Sequence, residues 1–151
     1  MKPYETKCAQ IEALSEISDH YIPLLANASA LLYENLKDLN WAGFYLVKDE
    51  ELLLGPFQGK VACVRIPKGK GVCGTAYEKD ETQRVEDVHK FPGHIACDSA
   101  SNSEIVIPIH SDGKVVAVLD IDSPLFDRFS AEDQEGLELF VKKLEEVLRW
   151  G

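Results

Sequence analysis

Three cysteines in the middle of the chain are the side chains best suited to covalent chemistry: Cys63, Cys73 and Cys97. Cys97 stands in a small, polar segment, 94–104, which has neither helical nor strand periodicity and leads into the apolar run 105–109. A polar loop that feeds a buried strand is a place where a rigid scaffold presents reactive groups. A reactive thiol also needs solvent access and a group that stabilises its thiolate. Backbone N–H groups of this Ser- and Asn-rich loop can supply that group to Cys97.

The competing interpretation of these cysteines is plain burial, because free cysteine is among the most buried residue types. Cys63 fits that interpretation, since it lies inside a β-like run at 61–66. Cys73 fits it less well, because it follows the glycine loop 69–71 and opens a short helix whose N-terminus can stabilise a thiolate. Cys8 belongs to none of these patterns and is assigned no role.

The cysteine spacing argues against a metal site. Ten positions separate Cys63 from Cys73, and twenty-four separate Cys73 from Cys97, which fits no common zinc pattern. His94 precedes Cys97 by three residues, but no second pair of ligands completes a site. The glycines lack the frames that bind nucleotide phosphates. The sequence therefore predicts neither a bound metal nor a cofactor.

Three carboxylates are expected to meet at the end of two neighbouring strands. Asp120 and Asp122 end the most apolar segment of the chain and, being two residues apart in a strand, share one face. Glu104 begins the strand before it. Carboxylates that converge raise one another's pKa, which makes a proton donor or a ligand for an ammonium group. The alternative is chance acidity, but an unpaired Asp120 inside an apolar run would be costly.

Two aromatic residues, Trp41 and Tyr45, are expected to share one face of a strand because they stand four residues apart. They are either core residues or the wall of a small pocket. Sulfur contacts aromatic rings favourably, so such a wall suits a thioether ligand.

Composition excludes several classes of function. The chain has 151 residues, of which 45% are hydrophobic, and this predicts one globular domain over 1–151. A net charge of -10 disfavours nucleic acid and anionic membranes as partners, and better suits a cationic or zwitterionic small ligand. The N-terminus has no apolar signal core and no segment is long enough to span a membrane, so we expect a cytoplasmic protein.

Periodicity predicts an α+β domain built on an antiparallel sheet with helices on its faces. The helices are expected at 5–18, at 20–36 with a cap at Ser18 and Asp19, at 72–78, and at 132–149 with a cap formed by Ser130 and Asp133. The strands are expected at 41–47, 52–57, 61–66, 83–88, 104–109 and 115–122, with a hairpin turn at 111–113.

The motifs together resemble the GAF-domain free methionine-(R)-sulfoxide reductases. They are WAGFY at 41–45, LGPFQGKVAC at 54–63, GKGVCG at 69–74, FPGHIACDSASNSE at 91–104 and LDIDSP at 119–124. The resemblance covers essentially the whole chain. The three cysteines at these spacings are typical of the reductase branch and are lacking in a generic nucleotide-sensing GAF domain.

The resemblance implies a six-stranded antiparallel sheet flanked by helices, a cytosolic homodimer active in oxidative stress, and thioredoxin as the reductant. It implies that Cys97 attacks the sulfoxide sulfur and becomes a sulfenic acid, which a second cysteine converts to a disulfide. Cys63 is the first choice for that second cysteine and Cys73 is the second choice. An attack by Cys73, with Cys97 resolving, also remains open.

The resemblance further implies roles for the acids and the aromatic residues. Glu104 and Asp122 would polarise the sulfoxide oxygen, and Asp120 with Glu104 would bind the substrate ammonium. Trp41 and Tyr45 would enclose the methyl thioether end. Two other classes of function compete with the enzyme: a GAF sensory module that binds a small ligand, and a thiol redox sensor without turnover.

Overall fold

A six-stranded antiparallel sheet with the order β3-β2-β1-β6-β5-β4 forms the centre of the protein in a computed structural model that describes residues 2–94 and 100–150. The elements are α1 (Lys2–Ile17), α2 (Tyr21–Asn35), β1 (Trp41–Lys48), β2 (Glu51–Gly59), β3 (Arg65–Pro67), α3 (Gly71–Lys79), β4 (Gln83–Val85), β5 (Ser103–Ser111), β6 (Lys114–Ser123) and α4 (Ala131–Val147). The predicted α+β fold with a six-stranded sheet is confirmed.

Alternation along the central strands separates two cores, one on each face of the sheet. On one face, Ala42 and Phe44 of β1 pack with the helices α1, α2 and α4 in the larger core. On the other face, Trp41 and Tyr45 of β1 pack with Val72 and other residues of α3 in a smaller core. The polar ends of β5 and β6 belong to this second face, so the second face carries the candidate site.

The helices on the first face are held by close packing and by a capping box. Ser130 and Asp133 cap α4 reciprocally, as predicted. The hydroxyl of Tyr4 donates to Asp133 Oδ1 at 2.7 Å, which ties α1 to the same helix end. Gly136 lets the two helices approach, since a Cβ there would lie 2.1 Å from Tyr4 Cδ2.

Two local predictions are wrong. The helix α2 is capped by the side chain of His20, which accepts from the N–H of Ile22, and not by Ser18 or Asp19. The predicted strand 61–66 begins only at Arg65, so Cys63 lies in a loop and not inside a strand.

The physical reason for the missing strand is a pair of side-chain hydrogen bonds. The indole N–H of Trp41 donates to the carbonyl oxygen of Lys60 at 3.1 Å, and the hydroxyl of Tyr45 donates to that of Cys63 at 2.9 Å. These bonds hold the segment 60–64 against the second face of the sheet, with the Val61 side chain 90% exposed. Another predicted strand, at 83–88, is shorter in the structure and ends at Val85.

The four helices of the described part of the chain are too short or too polar to cross a bilayer.

Candidate active site

A pocket of about 40 Å³ lies on the second face of the sheet, between the strands, the start of α3 and the loop 60–64. Six of the residues that the sequence nominates line it together: Trp41, Tyr45, Cys73, Glu104, Asp120 and Asp122. The pocket is small and partly open to the protein surface.

The register of the sheet brings the three carboxylates together. Glu104 on β5 lies directly opposite Asp122 on β6, and Asp122 lies opposite Trp41 on β1. Asp120 stands one row further along the same face, opposite Gly43 of β1. All three are buried, with 7% of Glu104, 5% of Asp120 and 8% of Asp122 exposed. The convergence that the spacing predicted is present.

Burial and mutual repulsion change the protonation of this cluster. Desolvation, followed by the charges of Asp120 and Asp122, raises the pKa of Glu104 well above its ordinary value. Burial also raises the pKa of Asp120, although hydrogen bonds from Glu104 and Cys73 partly oppose the rise. The raised pKa favours the protonated form of Glu104, which makes Glu104 the acid in the pocket best suited to donate a proton.

Cys73 is part of the same cluster. Its thiol donates to Glu104 Oε2 over a sulfur–oxygen distance of 3.9 Å, and 4% of the residue is exposed. Burial, together with the nearby charges of Asp120, Glu104 and Asp122, raises the pKa of the Cys73 thiol well above its usual value. The sequence suggested that the N-terminus of α3 would stabilise a thiolate at Cys73. Burial and the nearby acids instead favour the neutral thiol. Cys73 is a protonated thiol and a poor nucleophile at neutral pH.

Trp41 and Tyr45 form a wall of the pocket, as one of the two interpretations of their spacing predicted. Their rings stack with centroids 5.8 Å apart, and Trp41 also stacks on Phe57 at 5.1 Å. Desolvation, followed by the charge of Asp120, raises the pKa of Tyr45 far above its ordinary value. Tyr45 is thus a fixed hydrogen-bond donor, and its proton is directed to Cys63 as described above.

The cysteines are in different states. Cys63 is disulfide-bonded, whereas Cys8 and Cys73 are free thiols. Cys97, the nucleophile that the resemblance implies, lies outside the described residues. Cys63 itself is half-buried in the loop 60–64, next to the pocket wall formed by Val61 and Ala62.

Several lining residues were not nominated for a role in the pocket: Lys70, Gly71, His94 and Ser101. Gly71 begins α3 with a φ of 63°, a conformation that favours glycine. The sequence predicted this glycine loop at the start of the helix but assigned it no part in a pocket. Ser101 accepts a hydrogen bond from Asn40 Nδ2 at 3.0 Å, a contact across sixty-one positions that local patterns cannot reveal.

Comparison with known proteins identifies the family of this site. The GAF domain family matches residues 25–149. The free methionine-R-sulfoxide reductase of Escherichia coli is 62% identical over 128 residues, which cover 85% of this chain and 78% of that protein. The chain belongs to the GAF-domain family of free methionine-R-sulfoxide reductases. That membership makes it an oxidoreductase and confirms the resemblance seen in the sequence.

Two solved structures extend the comparison to the fold. The reduced form of the enzyme fRMsr of Staphylococcus aureus superimposes with a TM-score of 0.93 at 55% identity, covering 97% of this chain and 95% of that one. The free methionine-R-sulfoxide reductase of Neisseria meningitidis, solved with its substrate, has a TM-score of 0.91 at 44% identity, covering 97% of this chain and 89% of that one.

Proposed function

We propose that this protein reduces free methionine-(R)-sulfoxide to methionine, with Cys97 as the attacking thiol, Cys63 as the resolving thiol and thioredoxin as the reductant. The observation that carries the proposal is the position of the buried Glu104, which lies opposite Asp122 and shares a small pocket with the stacked rings of Trp41 and Tyr45. Burial raises the pKa of Glu104, which suits a proton donor. A sulfoxide needs both groups, because its polar oxygen must receive a proton and the methyl group beside its sulfur can pack on the aromatic rings.

In the first step, the Cys97 sulfur attacks the sulfoxide sulfur, and Glu104 gives its proton to the sulfoxide oxygen. Asp122 lies directly opposite Glu104 on the neighbouring strand. It helps to hold the Glu104 proton in line with the sulfoxide oxygen. The sulfur–oxygen bond of the substrate breaks, and the oxygen passes to the cysteine. Methionine, reduced by two electrons, leaves, and Cys97 becomes a sulfenic acid.

In the second step, the Cys63 thiol attacks the sulfenic acid, water leaves, and a Cys63–Cys97 disulfide forms. The disulfide-bonded state of Cys63 and the free thiol of Cys73 support this pairing over one that uses Cys73. Thioredoxin then reduces the disulfide by exchange, and both cysteines return to thiols. The raised pKa of Cys73 argues against the alternative in which Cys73 attacks first.

Recognition of the free amino acid follows from the charge of the pocket. Asp120 and Glu104 have no ion-pair partner among the described residues. Asp120 would therefore supply the negative charge that binds the α-ammonium of the substrate, and the unprotonated oxygen of Glu104 would accept a further hydrogen bond from it. A methionine sulfoxide within a peptide has no such charge. The methyl thioether end packs on Trp41 and Tyr45. We also propose that the enzyme is a homodimer and acts in the cytoplasm, where reduced thioredoxin protects against oxidative stress.

The deciding experiment supplies racemic free methionine sulfoxide with thioredoxin, thioredoxin reductase and NADPH, and follows each epimer by chiral chromatography. We expect only the R epimer to be consumed, and peptide-bound methionine sulfoxide to be left unchanged. Glu104→Gln should lower kcat by about a hundredfold or more, since a positioned proton donor contributes on that order. Glu51→Gln, at an exposed ion pair with Arg65, is the matched control.

Two results would contradict the proposal. A Cys97→Ser variant with full activity would exclude Cys97 as the attacking thiol. A disulfide that forms and is reduced by thioredoxin, without loss of either epimer, would favour a redox sensor.

A further inference from the structure

We propose that Cys73, Glu104 and Asp120 form an inhibitory binding site for a thiophilic divalent cation such as Zn²⁺. The Cys73 sulfur and one carboxylate oxygen from each acid all lie within 4.8 Å of one another. The three residues come from three different elements, α3, β5 and β6, which explains why no ligand spacing along the sequence pointed to them.

A second observation, an unpartnered buried oxygen of Asp120, favours a cation as the ligand of this cluster. Asp120 Oδ1 is buried and has no hydrogen-bond partner among the described residues, although Asp120 lines the pocket. A buried, unpartnered carboxylate oxygen is expensive and calls for a ligand. Since the ion pairs in the described part of the chain involve neither Asp120 nor Glu104, the cluster holds acidic groups without a compensating positive charge.

The donor set selects the class of ion. Zn²⁺ takes thiolate, imidazole and carboxylate ligands in a tetrahedral arrangement with bonds of about 2.0–2.3 Å. Ligands of one such ion lie about 3.3–3.8 Å apart by that geometry. Separations of up to 4.8 Å must therefore contract by about 1–1.5 Å to close the site. Mg²⁺ and Ca²⁺ prefer oxygen ligands alone and are disfavoured by the sulfur. The cavity of about 40 Å³ in front of the cluster has room for a water as the fourth ligand.

Binding replaces the thiol proton of Cys73 by a metal–sulfur bond and the carboxyl proton of Glu104 by a metal–oxygen bond, and both protons pass to solvent without any change of oxidation state. The ion then occupies the acids that bind the substrate ammonium, so Zn²⁺ and substrate exclude each other. This competition rests on the proposed function, whereas the metal site itself does not.

The test uses the full-length Cys63→Ala/Cys97→Ser variant, in which Cys73 is the pocket thiol and no turnover occurs. Co²⁺ is the probe, because a thiolate ligand gives a sulfur-to-cobalt charge-transfer band and a tetrahedral site gives intense visible bands. We expect both to appear at one equivalent of Co²⁺ and to be displaced by Zn²⁺, but not by a hundredfold excess of Mg²⁺.

Further substitutions in that background assign the ligands. Adding Cys73→Ser should abolish the charge-transfer band, and adding Asp120→Asn should weaken Co²⁺ binding at least tenfold. Adding Cys8→Ser, on the distant helix α1, should change neither. Circular dichroism verifies that each variant is folded. A charge-transfer band that survives Cys73→Ser, or its absence from the folded parent variant, would overturn the site.

The inhibitory role is tested by adding free methionine sulfoxide to the Co²⁺ complex. We expect the bands to disappear as the amino acid displaces the metal. Bands that persist at saturating amino acid would overturn the competition and the proposed substrate pocket, while the metal site itself would stand.

Discussion

The hydroxyl of Tyr45 on β1 donates to the carbonyl oxygen of Cys63 at 2.9 Å and so connects the aromatic wall of the pocket to the loop that carries a redox cysteine. The bond crosses eighteen positions of the chain and lies beside the buried acids. In the proposed mechanism, a substrate that packs on Tyr45 would contact the residue that positions Cys63. This one side chain would then link substrate binding to the resolving step.

Replacing that hydroxyl should slow the resolving step. Tyr45→Phe leaves the ring but removes the bond to the Cys63 carbonyl, so the loop 60–64 loses one of the two hydrogen bonds that it accepts from side chains of β1. We expect disulfide formation after one turnover to be several times slower, and the free energy of unfolding to fall by about 1 kcal/mol, as for one lost hydrogen bond. Quenched-flow trapping of thiols and urea titration measure the two effects.

Tyr33→Phe is the matched control for that prediction. Tyr33 packs against the larger core, on the other face of the sheet, and its hydroxyl makes no hydrogen bond with the described residues. Equal rates of disulfide formation in Tyr45→Phe and the wild type would show that the bond does not position Cys63.

The raised pKa of Glu104 should make the stability of the protein depend on pH. Because the pKa of Glu104 is raised by burial, the folded state holds a proton that the unfolded chain releases near pH 4.5. This stabilisation is complete below that pH and is lost as the pH rises through the pKa of the folded state. Glu104→Gln removes the ionisation and keeps the shape of the side chain.

We therefore expect the stability of Glu104→Gln, relative to the wild type, to increase as the pH rises from 5 to 8, by at least about 1 kcal/mol. Urea unfolding at a series of pH values measures the difference. A difference between the two proteins that does not vary with pH would mean that Glu104 ionises in the folded state as it does in the unfolded chain.

The burial of Cys73 should be visible in its reactivity. Because burial and three nearby acids raise the pKa of its thiol, iodoacetamide should modify Cys73 at least tenfold more slowly than the half-buried Cys8 in the native protein at pH 8. Peptide mapping by mass spectrometry gives both rates. In urea the two rates should converge, and a fast native reaction at Cys73 would restore it as a candidate nucleophile.

The contact between α1 and α4 should tolerate no side chain at Gly136. Alanine normally favours a helix over glycine, but its Cβ would lie 2.1 Å from Tyr4 Cδ2. We expect Gly136→Ala to lower the free energy of unfolding by about 1–3 kcal/mol, the usual cost of overpacking. Glu135→Ala, exposed on the same helix, serves as the control and should change stability little. Thermal unfolding compares the variants, and a Gly136→Ala protein as stable as the wild type would mean that the helices separate easily.

Local patterns were sufficient to predict most of the elements, because each depends on residues close in sequence. The apolar run 115–122 after the turn at 111–113 predicted β6, and the Ser130–Asp133 pair predicted the start of α4. The two-residue period of a strand placed Asp120 and Asp122 on one face, and the motif resemblance joined Glu104, Trp41 and Tyr45 to them in one site. The sequence alone was therefore sufficient to identify the family.

Other features depended on contacts between distant residues. The loop 60–64 has β-like residues, but hydrogen bonds from Trp41 and Tyr45 hold it over the pocket, and no local pattern encodes those bonds. The protonation of Cys73, on the helix α3, depended on its burial beside acids from the strands β5 and β6. The sequence indicated only that Cys73 lies near a helix N-terminus. Periodicity determines which face of an element is apolar or acidic, whereas pKa values and the position of a loop depend on what packs against that face. Only the tertiary structure decides that packing.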